Sequence, residues 1–220
     1  MQERRNLGCF AVGGITAGLV GGVVLALGLL AWAYAGTVPV LSGLVGAVEP
    51  RDLGLRYTAA DLQSYEAKMG LRLVPLVPGL PPVESRTFAG RAAVAQSFNS
   101  AELTAALNDR ARRWAYAPVR RCQLRLNPDG AVEFSAVLLT ERLGAFARAS
   151  GLPEEVVAGA EQARRYLGES PPVYVKGTGA ISESQVSFQI EHIEIGRCAV
   201  PQVVWEENHD LIRDCIQRML

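Results

Sequence analysis

The chain holds two histidines, and each stands close to an acid: His192 lies two residues before Glu194, and His209 directly precedes Asp210. Imidazole and carboxylate are ordinary ligands of a divalent cation, so the four side chains together are a conceivable metal set. That set would need two segments distant in sequence to meet, and neither has a recognised spacing such as H-E-x-x-H. A solvated histidine on a strand accounts for His192 with fewer demands. The sequence holds no G-x-S-x-G elbow, no Walker loop and no dinucleotide fingerprint. Gly177-Thr178-Gly179 is too short to cradle a phosphate and reads as a turn between strands. Glu154 and Glu155 are neighbours on a helix, so they face different ways, and they suit the positive end of its dipole better than paired acid–base work. The expectation is a protein that is not an enzyme, with no metal and no cofactor.

Cysteines and arginines are the other reactive or charged candidates. Cys9 precedes a long apolar run, the wrong side for a lipoprotein cleavage site. Cys122, Cys198 and Cys215 follow it, and an oxidising compartment would permit one bridge and leave an odd thiol. Cys122 falls on the apolar face of a strand, where it serves equally as a small buried hydrophobe. If a bridge forms, Cys198–Cys215 is the expected pair. Arg110, Arg112, Arg113, Arg120, Arg121 and Arg125 form the densest basic stretch. Contact with anionic lipid headgroups is one reading of it. A solvated helix end, where cations suit the dipole, is the simpler one.

The segment that places these residues is at the N-terminus. Residues 6–48 contain no charged side chain, and residues 10–35 are nearly all apolar or small. About 20 such residues cross the hydrocarbon core, so this run is long enough to span with some tilt. Trp32 and Tyr34 mark its far end, and Arg4 and Arg5 precede it. The positive-inside rule then puts the N-terminus in the cytoplasm and the rest outside. The rival is a secretory signal cleaved after Ala35, since Ala33-Tyr34-Ala35 is an A-x-A-like site; the apolar run exceeds the usual length for one. Gly14, Gly18 and Gly22 repeat at the small-xxx-small spacing that lets two membrane helices approach, which makes homodimerisation a possibility beside the plain abundance of glycine there. The organisation expected is an anchor at 1–36, a connector at 37–51 and one extracytoplasmic domain at 52–220.

Composition agrees with one folded domain. The 220 residues are 49% hydrophobic and 20% charged, with 22 Lys+Arg against 22 Asp+Glu. Without a basic excess there is no electrostatic footprint for nucleic acid. Tyr57-Thr58-Ala59-Ala60-Asp61-Leu62 and Phe98-Asn99-Ser100-Ala101-Glu102-Leu103 share one pattern: an aromatic, a cap, two small residues, an acid and Leu. Both read as helix starts closed by a capping box, with the aromatic as a staple. The helices should cover about 58–69, ended by Gly70, and 100 to about 116. Four prolines in 74–82 make an exposed loop or extended edge, and 86–98 is a possible strand. Alternation over 121–126 and 131–138 around Pro128-Asp129-Gly130 marks a hairpin. Helices follow over 141–149 and 153–166, then strands over 173–178 and 185–195. In the last, Val186, Phe188 and Ile190 share one parity and Ile193 and Ile195 the other, which predicts a bulge near Glu191-His192. A helix over 203–220 closes the chain. Hairpins and separate helices give an α+β class, an antiparallel sheet with packed helices.

Asn127-Pro128-Asp129-Gly130-Ala131-Val132-Glu133-Phe134-Ser135, Val173-Tyr174-Val175-Lys176-Gly177, and Val186 through Ile195-Gly196-Arg197-Cys198-Ala199-Val200-Pro201 leading into a helix resemble the YpmS-like group. Those are bacterial proteins with one membrane helix and an extracytoplasmic domain. The likeness covers residues 98–220 and extends, more distantly, to LmeA-type phospholipid-binding proteins; residues 57–82 depart from both. It implies a non-enzymatic envelope protein that handles lipid. The functional expectation is therefore a membrane-anchored binding domain for a lipid or an envelope partner. Its site would be an apolar groove lined by residues such as Phe134, Leu138, Phe146 and Phe188. The alternatives are an assembly protein dimerising through its membrane helix and a cleaved, secreted binding protein.

Overall fold

The computed structural model describes residues 49–73, 81, 88–90, 97–167, 170–182, 185–196, 198–207 and 209–210. The apolar run with its three glycines, the bulk of the proline-rich segment, Cys215 and the last ten residues lie outside them. Among the described residues no helix is long and apolar enough to cross a membrane.

The class is α+β, as the patterning requires. Helix α1 (Ala59–Met69) leads into strands β1 (Leu71–Leu73) and β2 (Phe88–Gly90), a small antiparallel pair. Helix α2 (Ser100–Arg113) is followed by the hairpin β3 (Val119–Leu126) and β4 (Ala131–Leu138). A short 3₁₀ turn (Thr140–Arg142), α3 (Leu143–Ala149) and α4 (Glu154–Leu167) come next. Strands β5 (Pro172–Ser182), β6 (Gln185–Ile195) and β7 (Cys198–Ala199) then precede α5 (Gln202–Glu207). The main sheet runs β3-β4-β5-β6-β7 in chain order, antiparallel throughout.

Local chemistry starts and stops the first two helices. At α1 the Asp61 carboxylate accepts from the Thr58 N–H at 2.7 Å, and Gly70 ends the helix at φ 69°, a conformation that suits a residue without Cβ. At α2 the box is reciprocal: Asn99 Oδ1 accepts from the Glu102 N–H at 2.9 Å, and the Asn99 N–H donates to Glu102 at 3.0 Å. Helix α2 ends three residues before the expected end. Trp114 leaves the helix in an extended conformation and puts its ring into the core, edge-on to Phe146 at 5.6 Å. Pro118 then holds its predecessor out of helical geometry. The two staple aromatics also part ways: Phe98 lies against Tyr65 of α1 at 5.0 Å, whereas Tyr57 stays 46% exposed.

All the longer helices contribute to one core on one face of the sheet. Leu124, Phe134, Val175 and Ile193 pair in sequence across four strands and form its floor, none more than 2% exposed. Each buried aliphatic or aromatic side chain of this kind contributes about 1.5–3 kcal/mol. The bulge expected in β6 is present. Lys176 pairs with His192 and Gly177 with Ile190, so Glu191 is the extra residue that returns Ile193 to the core face. Beside it, a methyl group on Gly177 would collide with the Gln189 carbonyl oxygen, so the strands approach more closely than an alanine allows.

Helix α2 does a second task along the free edge of β3. Ser100, Thr104 and Asn108, spaced four apart on one stripe, reach the strand's backbone in turn. The Leu126 N–H donates to Ser100 Oγ at 2.9 Å. Thr104 Oγ1 accepts from the Leu124 N–H at 3.0 Å and donates to its carbonyl at 3.3 Å. Asn108 accepts from the Cys122 N–H at 3.0 Å and donates to the Cys122 carbonyl at 2.7 Å. A polar helix stripe thus stands where a sixth strand would pair, which is one way to blunt an exposed sheet edge.

Candidate functional site

The side chains expected to line an apolar groove instead fill the core. Phe134 and Leu138 are fully buried and Phe146 is 5% exposed, all within one contiguous cluster, with Phe188 packed against it. The cluster packs tightly because β4 is a central strand covered on both faces, so even Glu133 and Ser135 are buried there.

The histidines do not converge. His192 Nε2 lies 2.8 Å from Glu194, and its ring tilts toward Tyr174 at 6.1 Å. His209 stacks on Phe188 at 5.0 Å, with Asp210 3.9 Å away. Among the described residues no group of three or more His, Cys, Asp or Glu side chains could hold a metal ion. Cys122 is a free thiol 1% exposed, and burial pushes its pKa up to about 12. The expected partner of Cys198, Cys215, lies outside the described residues. Glu154 and Glu155 occupy the first turn of α4, both exposed.

The sheet face opposite the core carries two polar rows. Arg125, Glu133, Lys176 and His192 pair across one, and Gln123, Ser135, Tyr174 and Glu194 across the other. Arg125 grips both Glu133 oxygens at 2.7 Å, while Asn127 and the Tyr174 hydroxyl donate to the same carboxylate at 3.0 and 3.1 Å. Burial raises the Glu133 pKa, but these donors outweigh it and leave it below the usual range. A strap of residues 49–56 crosses this face. Its Arg51 holds both oxygens of Glu194 at 2.8 Å and sits 4.0 Å over the Tyr174 ring. The Leu53 N–H donates to Gln123 at 2.6 Å, and Leu53 itself is buried. The strap begins inside the stretch read from sequence as a featureless connector.

The basic stretch is where the structure gathers something new. A cavity of about 450 Å³ opens between the start of α1, the face of α2 that carries Ala105, Asn108 and Arg112, and the beginning of β3. Tyr57, Leu62, Ala105 and Ala111 give it apolar walls, and Arg112, Arg120 and Arg121 bring three guanidinium groups to it against one carboxylate, Asp109. A backbone irregularity makes this possible. Arg120 pairs with Val137 and Gln123 with Ser135, so Arg121 and Cys122 together face one residue of β4. Arg121 takes φ 56°, a left-handed conformation that glycine adopts more readily. Strict alternation would turn one of two neighbouring residues inward; the bulge leaves Arg120 and Arg121 both exposed.

The three arginines are differently engaged. Arg112 contacts Asp109 at 2.7 Å, a carboxylate that Arg113 also holds at 2.9 Å. Arg121 pairs with Glu49 of the strap, and that hydrogen bond raises the Arg121 pKa and lowers that of Glu49. The Arg120 side chain is exposed and makes no hydrogen bond or ion pair among the described residues. Arg113 shares Asp109 with Arg112, and Arg125 belongs to the opposite sheet face. Such a cavity is within the size range of small-ligand sites. Chemically it can accept an anion against an apolar floor. No protein family, curated protein or solved structure matches the chain.

Proposed function

We propose that this chain is a non-catalytic binding domain, held at the outer face of a membrane by its N-terminal apolar segment, whose arginine-lined cavity meets anionic headgroups. The observation that carries the reading is the Glu49–Arg121 ion pair. In that pair Glu49, the first described residue, lies at the rim of the basic cavity. Residues 37–48 can extend at most about 40 Å, so an uncleaved anchor lets that rim reach the bilayer surface without holding it there. Exposed charges act over a Debye length of about 8–10 Å, so a basic rim must face the headgroups directly to feel them. Tyr57, amphipathic and half exposed beside the cavity, is of a type that favours the same interface.

The resemblance to membrane-anchored YpmS-like proteins and lipid-binding LmeA-type proteins points the same way. The test uses the full chain in cells: alkaline carbonate washing of membranes, protease added from outside, and the mass of the recovered chain. An intact chain retained by washed membranes and digested from outside is expected. A chain starting at residue 36 and recovered in the soluble fraction would sink the anchor.

A further inference from the structure

The three arginines of the cavity are unequally occupied, and that difference carries a further step. Arg112 is committed to a carboxylate of its own helix, Arg120 to nothing among the described residues, and Arg121 to a carboxylate contributed by the strap. Glu49 is an exposed residue with no other contact described, and it reaches the cavity from outside the elements that build it. It occupies Arg121 as a ligand would. An exposed carboxylate–arginine pair is weak enough to be exchanged, because water and salt screen it. A phosphodiester carries the same single charge as a carboxylate, but its two non-bridging oxygens diverge tetrahedrally, so two neighbouring guanidinium groups can each take one. The bulge that turns Arg120 and Arg121 outward side by side supplies such a pair.

We infer that the cavity binds the phosphodiester headgroup of an anionic phospholipid through Arg120 and Arg121, in competition with Glu49. Arg120 receives the phosphate first, since it has no carboxylate to lose. Arg121 follows by exchanging Glu49 for a phosphate oxygen, which frees the end of the strap. The alanines and Leu62 of the wall take the glycerol carbons. At about 450 Å³ the cavity holds a headgroup and leaves the acyl chains outside it. The inference deepens the membrane-facing reading by naming the ligand and the residue that holds its place.

The experiment titrates dihexanoylphosphatidylglycerol, below its micelle concentration, into the full chain in phosphatidylcholine nanodiscs, with empty nanodiscs subtracted. Dihexanoylphosphatidylcholine and inorganic phosphate are the parallel arms. Saturable binding of the phosphatidylglycerol is expected, with weaker binding in the other two arms and loss in high salt. Glu49→Gln should tighten it about two- to five-fold by removing the competitor. Arg120→Gln should weaken it about ten-fold with unchanged melting, since that side chain supports nothing in the fold. Absence of saturable binding overturns the proposal, as does equal binding of the zwitterionic lipid. Equal binding of inorganic phosphate overturns the lipid as its source. A Glu49→Gln variant that binds no better overturns the competition. Because the ligand is added in soluble form, binding here with failure of the carbonate test would discard only the anchor, and the reverse result would discard the headgroup role of the cavity and leave the anchor standing.

Discussion

Asn108→Ala is the most informative single substitution for the fold. Asn108 makes two hydrogen bonds to the backbone of Cys122, at 3.0 and 2.7 Å, and a third to the Thr104 carbonyl at 2.8 Å. Alanine removes both of the strand's partners at a residue 1% exposed, where water reaches the edge poorly. Each lost bond costs about 1 kcal/mol net, and more where the backbone group stays dry, so the total should be about 2–4 kcal/mol. At about 2–4 °C per kcal/mol for a domain of this size, melting should fall by roughly 5–15 °C. Thr104→Val is the matched control for the next rung. It is close to isosteric at a fully buried position and removes the one hydroxyl that serves both Leu124 groups. Thermal melts should be read together with amide exchange at Cys122 and Leu124, each expected to speed up in its own variant. If Asn108→Ala melts within about a degree of the parent and the Cys122 amide exchanges no faster, the helix stripe does not hold the strand edge and the reasoning fails.

Stability should also depend on pH through two carboxylates. Burial raises the Glu102 pKa, but donors on Lys68 and Ser64 and the Asn99 N–H overcome it, and Glu133 behaves likewise with Arg125, Asn127 and Tyr174. Both folded values lie below the ordinary 4.5, so their stabilisation is full above that pH and is lost as pH falls through the depressed values. Melting temperature should be level above about pH 5 and drop below 4.5, and Glu102→Gln with Glu133→Gln should flatten the acid limb while lowering the plateau. Gly177→Ala should cost about 1–3 kcal/mol in a denaturant titration, since its Cβ meets the neighbouring strand's backbone; a neutral result would mean that the bulged strands can separate. The Cys122 thiol, buried and poorly ionised, should resist maleimide at pH 8 until the chain is unfolded, as a peptide mass map after labelling would show.

Features written in neighbouring residues are the ones legible in the sequence. Thr58 with Asp61, Asn99 with Glu102, and the Pro128-Asp129-Gly130 turn each use contacts within a few positions, and the parity change from Ile190 to Ile193 records the β6 bulge directly. The β3 bulge leaves no such trace. Cys122, Leu124 and Leu126 alternate cleanly from the bulge onward, and the residues ahead of Cys122 are arginines, where hydropathy has no phase to lose. Long-range cover is equally silent. Glu133 and Ser135 look like the wet face of a strand, and only the placement of β4 in mid-sheet buries them. The polar stripe of Ser100, Thr104 and Asn108 reads as an ordinary solvated helix face until the edge of β3 lies against it. For the same reason six arginines in one stretch do not show which two turn outward together.

The strap has a mechanical consequence. Any pull applied to the chain ahead of residue 49 meets the sheet before it meets α1, because Arg51 is fastened to Glu194 on β6 and Leu53 to Gln123 on β3. Those two fastenings lie on strands with β4 and β5 between them, so the load is spread across four strands rather than unzipping one. Force would have to break the charged contacts in series before it reached a backbone ladder. The domain therefore takes tension along its leading chain at the sheet, with the Glu49–Arg121 pair at the cavity rim yielding first and the core keeping its shape.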